Sequence, residues 1–329
     1  MFFIFSFMKE GVKNFIKISR ITIPILIYLI LMVPIFYLYS TPAPETEVQV
    51  YKGVWVPFTV PTYMDDLKDV GVNTVSLSHE INSPDIFRLL LISNIISAHR
   101  NGMKVIVSTG FTEPYPEVED IDMEALSSEI VEIAELAEKY EAEFFAPFLD
   151  VDCIFLENST GWMQEMLLRI KEVYGGEMIW KGALWWEIMS GDLPSGNWPT
   201  NFSGYDYIGF GLSPHDKMTL EDYEGFVEEV INQNLFWAER DNLKGVMVLE
   251  FSVFSWVPLA QIENPDRLTF VRAGHSEEEI AKAYEIVFEK GQGKLDGFFP
   301  FGMKSDHFGE PGLYGKRKEL VKKWYKEIL

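Results

Sequence analysis

Short apolar stretches of strand length alternate with amphipathic stretches along the chain from Val48 to Leu329. The apolar stretches are rich in β-branched and aromatic residues, which is typical of parallel strands buried on both faces. Because their spacing is regular, we interpret each as one strand of a single sheet. The predicted strands are Val50–Pro57, Asn73–Ser78, Lys104–Thr109, Glu143–Leu149, Met178–Trp185, Tyr205–Leu212, Gly245–Phe254 and Leu295–Phe301.

The stretches between these strands have the apolar period of helices, as Ile130, Ile133 and Ala134 illustrate. A Gly-, Pro- and Asn-rich segment, 191–204, predicts a loop where one further helix would fall. The predicted helices are Tyr63–Val70, Pro84–His99, Met123–Tyr140, Trp162–Tyr174, Leu220–Arg240, Glu277–Lys290 and Lys316–Ile328.

Eight strands alternating with helices predict an α/β fold, the (β/α)8 TIM barrel, over residues 49–329. The alternative is an open, doubly wound sheet, which normally has a glycine-rich phosphate loop after its first strand. The sequence there is VWVPFTVPT, which has no such loop. The barrel is therefore favoured.

The N-terminal segment differs from the rest of the chain. Residues 1–20 contain four basic residues and one acidic residue, a net charge of +3, and Ile21–Leu38 then runs for 18 residues without a charge. A run of that length predicts a membrane-spanning helix, and the basic flank places its N-terminal end in the cytoplasm. We predict a cytoplasmic segment at 1–20, a transmembrane signal-anchor at 21–39 and a linker at 40–48.

The linker, STPAPETE at Ser40–Glu47, also has small residues that would suit a signal peptidase, so a cleaved and secreted form is the alternative. Sequons at Asn158 and Asn201 fit an exported domain. The predicted location is the cell membrane, with one span and the barrel outside the cytoplasm.

Charge and composition narrow the function. The chain of 329 residues has 28 Lys and Arg against 50 Asp and Glu, a formal charge of −22, which argues against a nucleic-acid partner. Aromatic residues make up 15% of the chain, which fits carbohydrate binding as well as a large core. The single cysteine, Cys153, and five scattered histidines do not suggest a zinc site. We predict no metal and no organic cofactor.

Glu250 is the most informative residue of the sequence, because it interrupts the apolar run GVMVLEFSVF at Gly245–Phe254. Burying an ionised group is costly unless it is paired. In a barrel of parallel strands, catalytic groups sit at the carboxyl ends of the strands. Glu250 is therefore predicted to be catalytic. The alternative is a core carboxylate paired to an Arg or Lys elsewhere in the chain.

Other acidic residues follow predicted strands, namely Glu80, Asp150 and Glu187. Asp150 after strand four and Glu250 after strand seven would face each other across the end of the barrel. Two carboxylates flanking a bond are what glycoside hydrolysis requires, since one protonates the leaving oxygen and the other attacks or activates water.

This pattern resembles the TIM-barrel retaining glycoside hydrolases, the group that includes cellulases, mannanases and β-galactosidases. The resemblance rests on the order of elements over residues 50–329 and on LEF at 249–251. It implies that Glu250 is the nucleophile, that Asp150 is the acid/base and that the substrate is a β-linked oligo- or polysaccharide.

Strand four departs from the motif of these enzymes, which is commonly Asn-Glu-Pro. Leu149, Asp150 and Val151 stand in its place, so the asparagine that would help bind the sugar 2-hydroxyl is missing. The departure leaves two functions open, a glycoside hydrolase and a catalytically inactive barrel that binds glycan at the cell surface. Asp152 and Glu157 are further candidates for the acid, and a lyase on the same face is a third possibility.

Further residues at strand ends are predicted to bind substrate. Aromatic faces stack on pyranose rings, and polar side chains bond sugar hydroxyls; in each case the alternative is ordinary packing or a solvated loop. His79, beside Glu80, is an additional candidate to line the pocket. The predicted substrate-binding residues are Trp55, Glu80, Trp185, Trp186, Glu187, His215 and Trp256.

Overall fold

The computed structural model describes residues 50–56, 64–111, 118–149, 159–182, 201–212, 219–251, 256–258, 270–272, 276–301 and 315–329. The strands in these residues are β1 (Tyr51–Val56), β2 (Thr74–Glu80), β3 (Lys104–Gly110), β4 (Phe144–Ala146), β5 (Glu177–Gly182), β6 (Tyr207–Leu212), β7 (Gly245–Phe251), β8 (Trp256–Pro258), β9 (Phe270–Arg272) and β10 (Gly297–Pro300). The α-helices are α1 (Met64–Val70), α2 (Asp85–Arg100), α3 (Met123–Lys139), α4 (Ser159–Lys171), α5 (Leu220–Arg240), α6 (Glu277–Gly291) and α7 (Gly315–Lys323).

Eight of these strands form a closed barrel in the order β1-β10-β7-β6-β5-β4-β3-β2, and every neighbouring pair is parallel. A described helix follows every barrel strand except β5, after which residues 183–200 lie outside the described ranges. The predicted (β/α)8 barrel is therefore confirmed. The short antiparallel pair of β8 and β9 follows β7 and was not predicted.

Two layers of apolar side chains fill the barrel and its surroundings. An outer layer lies between strands and helices, and an inner cluster that includes Ile106, Ile179 and Phe299 fills the interior. The inner cluster fits because glycines face large side chains, and a Cβ on Gly53 would lie 2.1 Å from the Phe299 ring. Alternation of small and large residues thus gives a packed interior rather than a pore.

Several helices begin with a side-chain cap that the sequence supplies locally. The Thr219 and Ser276 side chains cap α5 and α6, each in a capping box with the acidic residue three positions later, Asp222 or Glu279. Such boxes satisfy backbone donors that have no partner within the helix. Each of these two helices therefore starts where the sequence pattern predicts.

The first and last strands of the barrel meet at a seam that a single tyrosine bridges. Tyr325 lies in a π-helical turn, Trp324–Ile328, that continues α7. Its hydroxyl lies 2.7 Å from the carbonyl oxygen of Gly53 in β1 and 2.6 Å from that of Phe298 in β10, and it donates to them. The Lys52 ammonium in turn donates to the Tyr325 carbonyl at 2.8 Å.

His79 lies on the outer face of β2, beneath α2 and α3. Its ring is fully buried, and neither ring nitrogen has a hydrogen-bond partner among the described residues. Glu129 is 3.7 Å from its Nε2, and Arg88 bridges Glu129 and Glu132. Burial, helped by the Arg88 guanidinium, lowers the pKa of His79 to about 4. The expectation that His79 lines the pocket is wrong, because side chains alternate along β2 and its neighbours Ser78 and Glu80 are the ones that face the interior.

In the part of the chain that the structure describes, no helix is both long enough and apolar enough to cross a membrane. The predicted span at 21–39 lies outside that part.

Replacing Tyr325 with Phe should lower the free energy of unfolding by about 1–3 kcal/mol, because the buried seam carbonyls lose their donor. Urea denaturation of the full-length chain measures this loss. The control is Tyr140→Phe, at a half-exposed position after α3, for which we expect a change below about 0.5 kcal/mol. Equal effects of the two replacements would contradict a role of Tyr325 at the seam.

The free energy of unfolding should decrease as the pH is lowered, because His79 takes up a proton more readily in the unfolded chain than in the folded protein. The ring is neutral in the folded protein down to about pH 4, whereas in the unfolded chain it takes up a proton at about pH 6.5. Its contribution is therefore complete above about pH 6.5 and decreases as the pH falls toward 4. When the pH is lowered from 7 to 5, the unfolding free energy of the wild type should decrease by about 1–2 kcal/mol more than that of His79→Gln. Urea denaturation at each pH measures both decreases. Equal decreases in the two proteins would contradict the role of His79.

Candidate functional site

The carboxyl ends of the eight barrel strands form what we call the barrel mouth. Its described lining comes from seven strands or the residues shortly after them, and it combines apolar, hydroxyl and charged side chains. The lining residues are Trp55, Ser78, Glu80, Ser108, Leu149, Lys181, Glu250 and Phe301.

A β-bulge near the end of β7 turns Glu250 toward the interior. Phe210 of β6 pairs with Val248, yet the next residue, Gly211, pairs with Glu250, so β7 contains one extra residue at this point. The register with β10 shifts over the same residues. In a regular strand Leu249 and Glu250 would face opposite sides. The bulge instead places Glu250 inward while Phe251 packs outward against α6.

Glu250 meets a lysine from two strands away. The Lys181 ammonium in β5 lies 3.7 Å from Glu250 Oε2. The Lys181 side chain is fully buried, and that of Glu250 is 24% exposed. The alternative of a core carboxylate paired to a basic residue is thus correct as regards the pairing. Because Glu250 keeps an exposed fraction at the mouth, the pairing leaves the carboxylate within reach of a ligand.

Trp55 lies in β1, across the barrel from β5 and Lys181, and is held there by hydrogen bonds and ring packing. Its indole nitrogen donates to Ser78 Oγ at 3.0 Å, and Ser78 Oγ lies 2.9 Å from Ser108 Oγ. Its ring meets Phe301 edge to face, with centroids 4.7 Å apart. Only 7% of Trp55 is exposed, so it forms a wall of the mouth and offers little free surface for stacking.

Leu149 closes the floor of the mouth after β4. Its backbone N–H donates to the Thr109 carbonyl at 2.7 Å, and its side chain joins the inner apolar cluster. A Cβ on Gly110 would lie only 3.2 Å from Leu149 Cβ, so the side chain packs directly over β3. An apolar group therefore occupies the position at which the resembled enzymes have asparagine.

The structure brings together three of the predicted site residues, Trp55, Glu80 and Glu250. Glu80 is the last residue of β2, two positions beyond Ser78 and so on the same face. Trp256 lies in β8, and only its backbone is described. The other predicted residues lie outside the described ranges: Asp150, Trp185, Trp186, Glu187 and His215.

Sequence reasoning missed Lys181, Ser78 and Ser108. Lys181 interrupts the apolar run MIWKGALW just as Glu250 interrupts GVMVLEFSVF, so the same signal was present in the sequence. Ser78 and Ser108 occupy inward positions of their strands, which the period-two pattern would identify once the face is known. Among the described residues, no group of His, Cys, Asp and Glu side chains is placed to hold a metal ion.

Sequence comparisons give no match. No family model matches the chain, and neither does any curated protein.

Comparison of the fold with solved structures gives many matches, and the following are glycoside hydrolases. A GH113 β-mannanase from Alicyclobacillus acidocaldarius superposes with a TM-score of 0.60 at 15% identity, over 86% of this chain and 99% of that chain. An endoglucanase gives a TM-score of 0.58 at 14% identity, over 83% and 97% of the two chains. Fungal β-1,4-galactanases give a TM-score of 0.53 at 14% identity, over 80% and 90%. At these identities the similarity establishes a common fold, so this chain has the barrel of these glycoside hydrolases.

Proposed function

We propose that this protein is a glycoside hydrolase that acts on β-linked oligo- or polysaccharide, with Glu250 as nucleophile and Asp150 as acid/base. The observation that carries the proposal is the bulge in β7, which places a partly exposed carboxylate inside the barrel mouth. A bulge beside an active site commonly serves to re-aim a side chain. Here the re-aimed side chain is the one that interrupts an otherwise apolar strand.

Glu250 has the chemistry of a nucleophile. A glycosidase nucleophile has to be ionised and close to the anomeric carbon, whereas its partner has to carry a proton. The nearby Lys181 ammonium favours the charged form of Glu250. In the proposed reaction Glu250 attacks the anomeric carbon while Asp150 gives its proton to the leaving oxygen. The Asp150 carboxylate then takes a proton from water, which attacks the anomeric carbon and breaks its bond to Glu250, releasing the sugar.

The assignment of Asp150 rests on its position directly after Leu149 at the end of strand four. Its carboxyl group is one methylene shorter than that of glutamate. Retaining enzymes hold their carboxyl groups about 5–5.5 Å apart, and inverting enzymes about 6.5–9.5 Å apart. NMR analysis of the anomer released first would therefore report which spacing the pair adopts.

The substrate class follows from the neighbours and from the composition. The similar structures are named as β-mannanase, endoglucanase and β-1,4-galactanase, so a β-linked glycan is the proposed substrate. Glu80 at the mouth, together with Glu187 and His215, would bond sugar hydroxyls. Trp55 would provide an apolar wall, and Trp185, Trp186 and Trp256 would provide stacking surfaces.

The proposed location is the outer side of a membrane, with the chain anchored by residues 21–39. The support is the uncharged run of 18 residues behind a basic flank. Alkaline carbonate extraction of cell membranes would retain an anchored chain and release a cleaved one.

A second candidate, a glycan-binding barrel without activity, is favoured by Leu149. Its apolar side chain packs in the inner cluster where the resemblance leads us to expect a sugar-binding asparagine. Such a barrel would bind polysaccharide and leave it intact.

The replacement Glu250→Gln should lower hydrolysis of aryl β-glycosides or β-linked polysaccharides by at least about 1,000-fold, because the amide cannot form the glycosyl-enzyme intermediate. Release of reducing sugar by the full-length chain measures the loss. Glu177→Gln is the matched control, since Glu177 also pairs with a lysine, Lys244, but at the amino end of β5. Substantial activity in Glu250→Gln would contradict the assignment of the nucleophile.

The replacement Asp150→Glu separates the two candidate functions. It lengthens the side chain by one methylene and restores the acid found in the resembled motif. In an active enzyme tuned to aspartate we expect a loss of at least about 10-fold, because misplacement of a catalytic group by about 1 Å is costly. In an inactive barrel we expect binding to be kept and hydrolysis to appear. Glycan binding by calorimetry and hydrolysis by reducing-sugar release distinguish these results.

A further inference from the structure

Lys181 occupies an unusual place for a lysine, the inside of a barrel packed mainly with apolar side chains. Its side chain is fully buried and lies on the same face of β5 as Ile179, two residues earlier, which is a member of the inner cluster. We propose that Lys181 is a positioning residue that keeps the Glu250 carboxylate charged and aimed at the barrel mouth. This inference rests on the proposed function and assigns a role within the same site.

The geometry of the intervening strand permits this pairing. Strands β5 and β7 are separated by β6, so their backbones lie about 9.5 Å apart. The inward positions of β6 opposite Lys181 and Glu250 are glycines, Gly209 and Gly211. Leu249 and Ile179 fill the space above Gly209, where a Cβ would lie 2.3 Å from Leu249 Cδ1. Gly211, the partner of Glu250, adds no side chain beside the carboxylate that the lysine reaches. The bulge then supplies the carboxylate on the correct face.

Energetics explain why the two groups depend on each other. A buried ammonium without a countercharge is strongly unfavourable, and removing one partner of a buried ion pair leaves an uncompensated charge. In return, an opposite charge within about 4–6 Å favours the ionised form of a carboxylate. Lys181 thus gives Glu250 the charge state that a nucleophile requires, and Glu250 makes the burial of Lys181 possible.

The other described elements around Glu250 contribute one further charged group. β6 presents glycines, β10 leads to Phe301, β1 presents Trp55, and the residue after β4 is Leu149. The additional titratable group is Glu80, at the end of β2. Within the described lining, Lys181 is therefore the cation that lies beside Glu250.

A buried lysine on a barrel strand is also a possible amine nucleophile. The structure argues against this role for Lys181, because an ammonium held by a carboxylate has no free electron pair. Its contact with Glu250 therefore supports a positioning role and not a covalent one.

The pH dependence of kcat/KM tests the proposal. In Lys181→Met we expect the acid limb of the profile for aryl β-glycoside hydrolysis to move upward by about one pH unit, because Glu250 loses the cation that favours its charged form. Lys181→Arg keeps the positive charge, so the acid limb of this variant should stay close to its wild-type position. Lys52→Met is the control, since Lys52 is a barrel-strand lysine whose ammonium bonds the Tyr325 carbonyl. An unchanged acid limb in Lys181→Met would overturn the proposal.

A double-mutant cycle in urea tests the pair without activity. Lys181→Met should lower the unfolding midpoint, and adding Glu250→Gln should cause no further loss or a partial recovery, since no isolated charge remains. Additive losses would overturn the proposal whether or not the protein hydrolyses glycans. If the wild type cleaves no glycoside, the proposed function fails. The cycle then supports the pair if the losses are non-additive and rejects it if they are additive.

Discussion

A charged amine inside a barrel packed with apolar side chains imposes the constraint on which the mouth of this protein depends. Lys181 requires a countercharge, and Glu250 supplies it at 3.7 Å. That requirement involves three strands at once: β5 carries the lysine, β6 places Gly211 beside the carboxylate, and β7 has the bulge that turns the carboxylate inward. A change in any one of these strands would disturb the other two.

The fold was predictable from the sequence because strands buried on both faces leave a simple signal, an apolar run of fixed length between helices. Glu250 was identifiable because a carboxylate in such a run has to be explained. The direction of its side chain was not predictable. The period of two places Leu249 and Glu250 on opposite faces, and the bulge that overrides it depends on the pairing with β6 and β10. Lys181 carried the same signal as Glu250, but its partner became evident only when strand order was known.

Leu149 is a point at which this barrel differs from the motif of the enzymes that it resembles. The architecture is common to mannanase, endoglucanase and galactanase structures. Yet the residue before Asp150 packs in the inner cluster and has no polar group to offer a sugar. Recognition of a substrate hydroxyl near β4 would therefore depend on other side chains. The fold supplies the strand ends at which the two proposed carboxylates would lie, while the residues around them decide what binds there.

The seam between β1 and β10 has a consequence for the order in which the molecule assembles. Its bridging hydroxyl belongs to Tyr325, which follows every barrel strand in the chain. During synthesis, β1 and β10 are therefore complete before the group that bridges their carbonyls leaves the ribosome. The pairing of β1 with β10 closes the barrel and covers the two strand edges that could otherwise pair with other chains. Tyr325 thus reinforces, late in synthesis, a closure that strand pairing has already made.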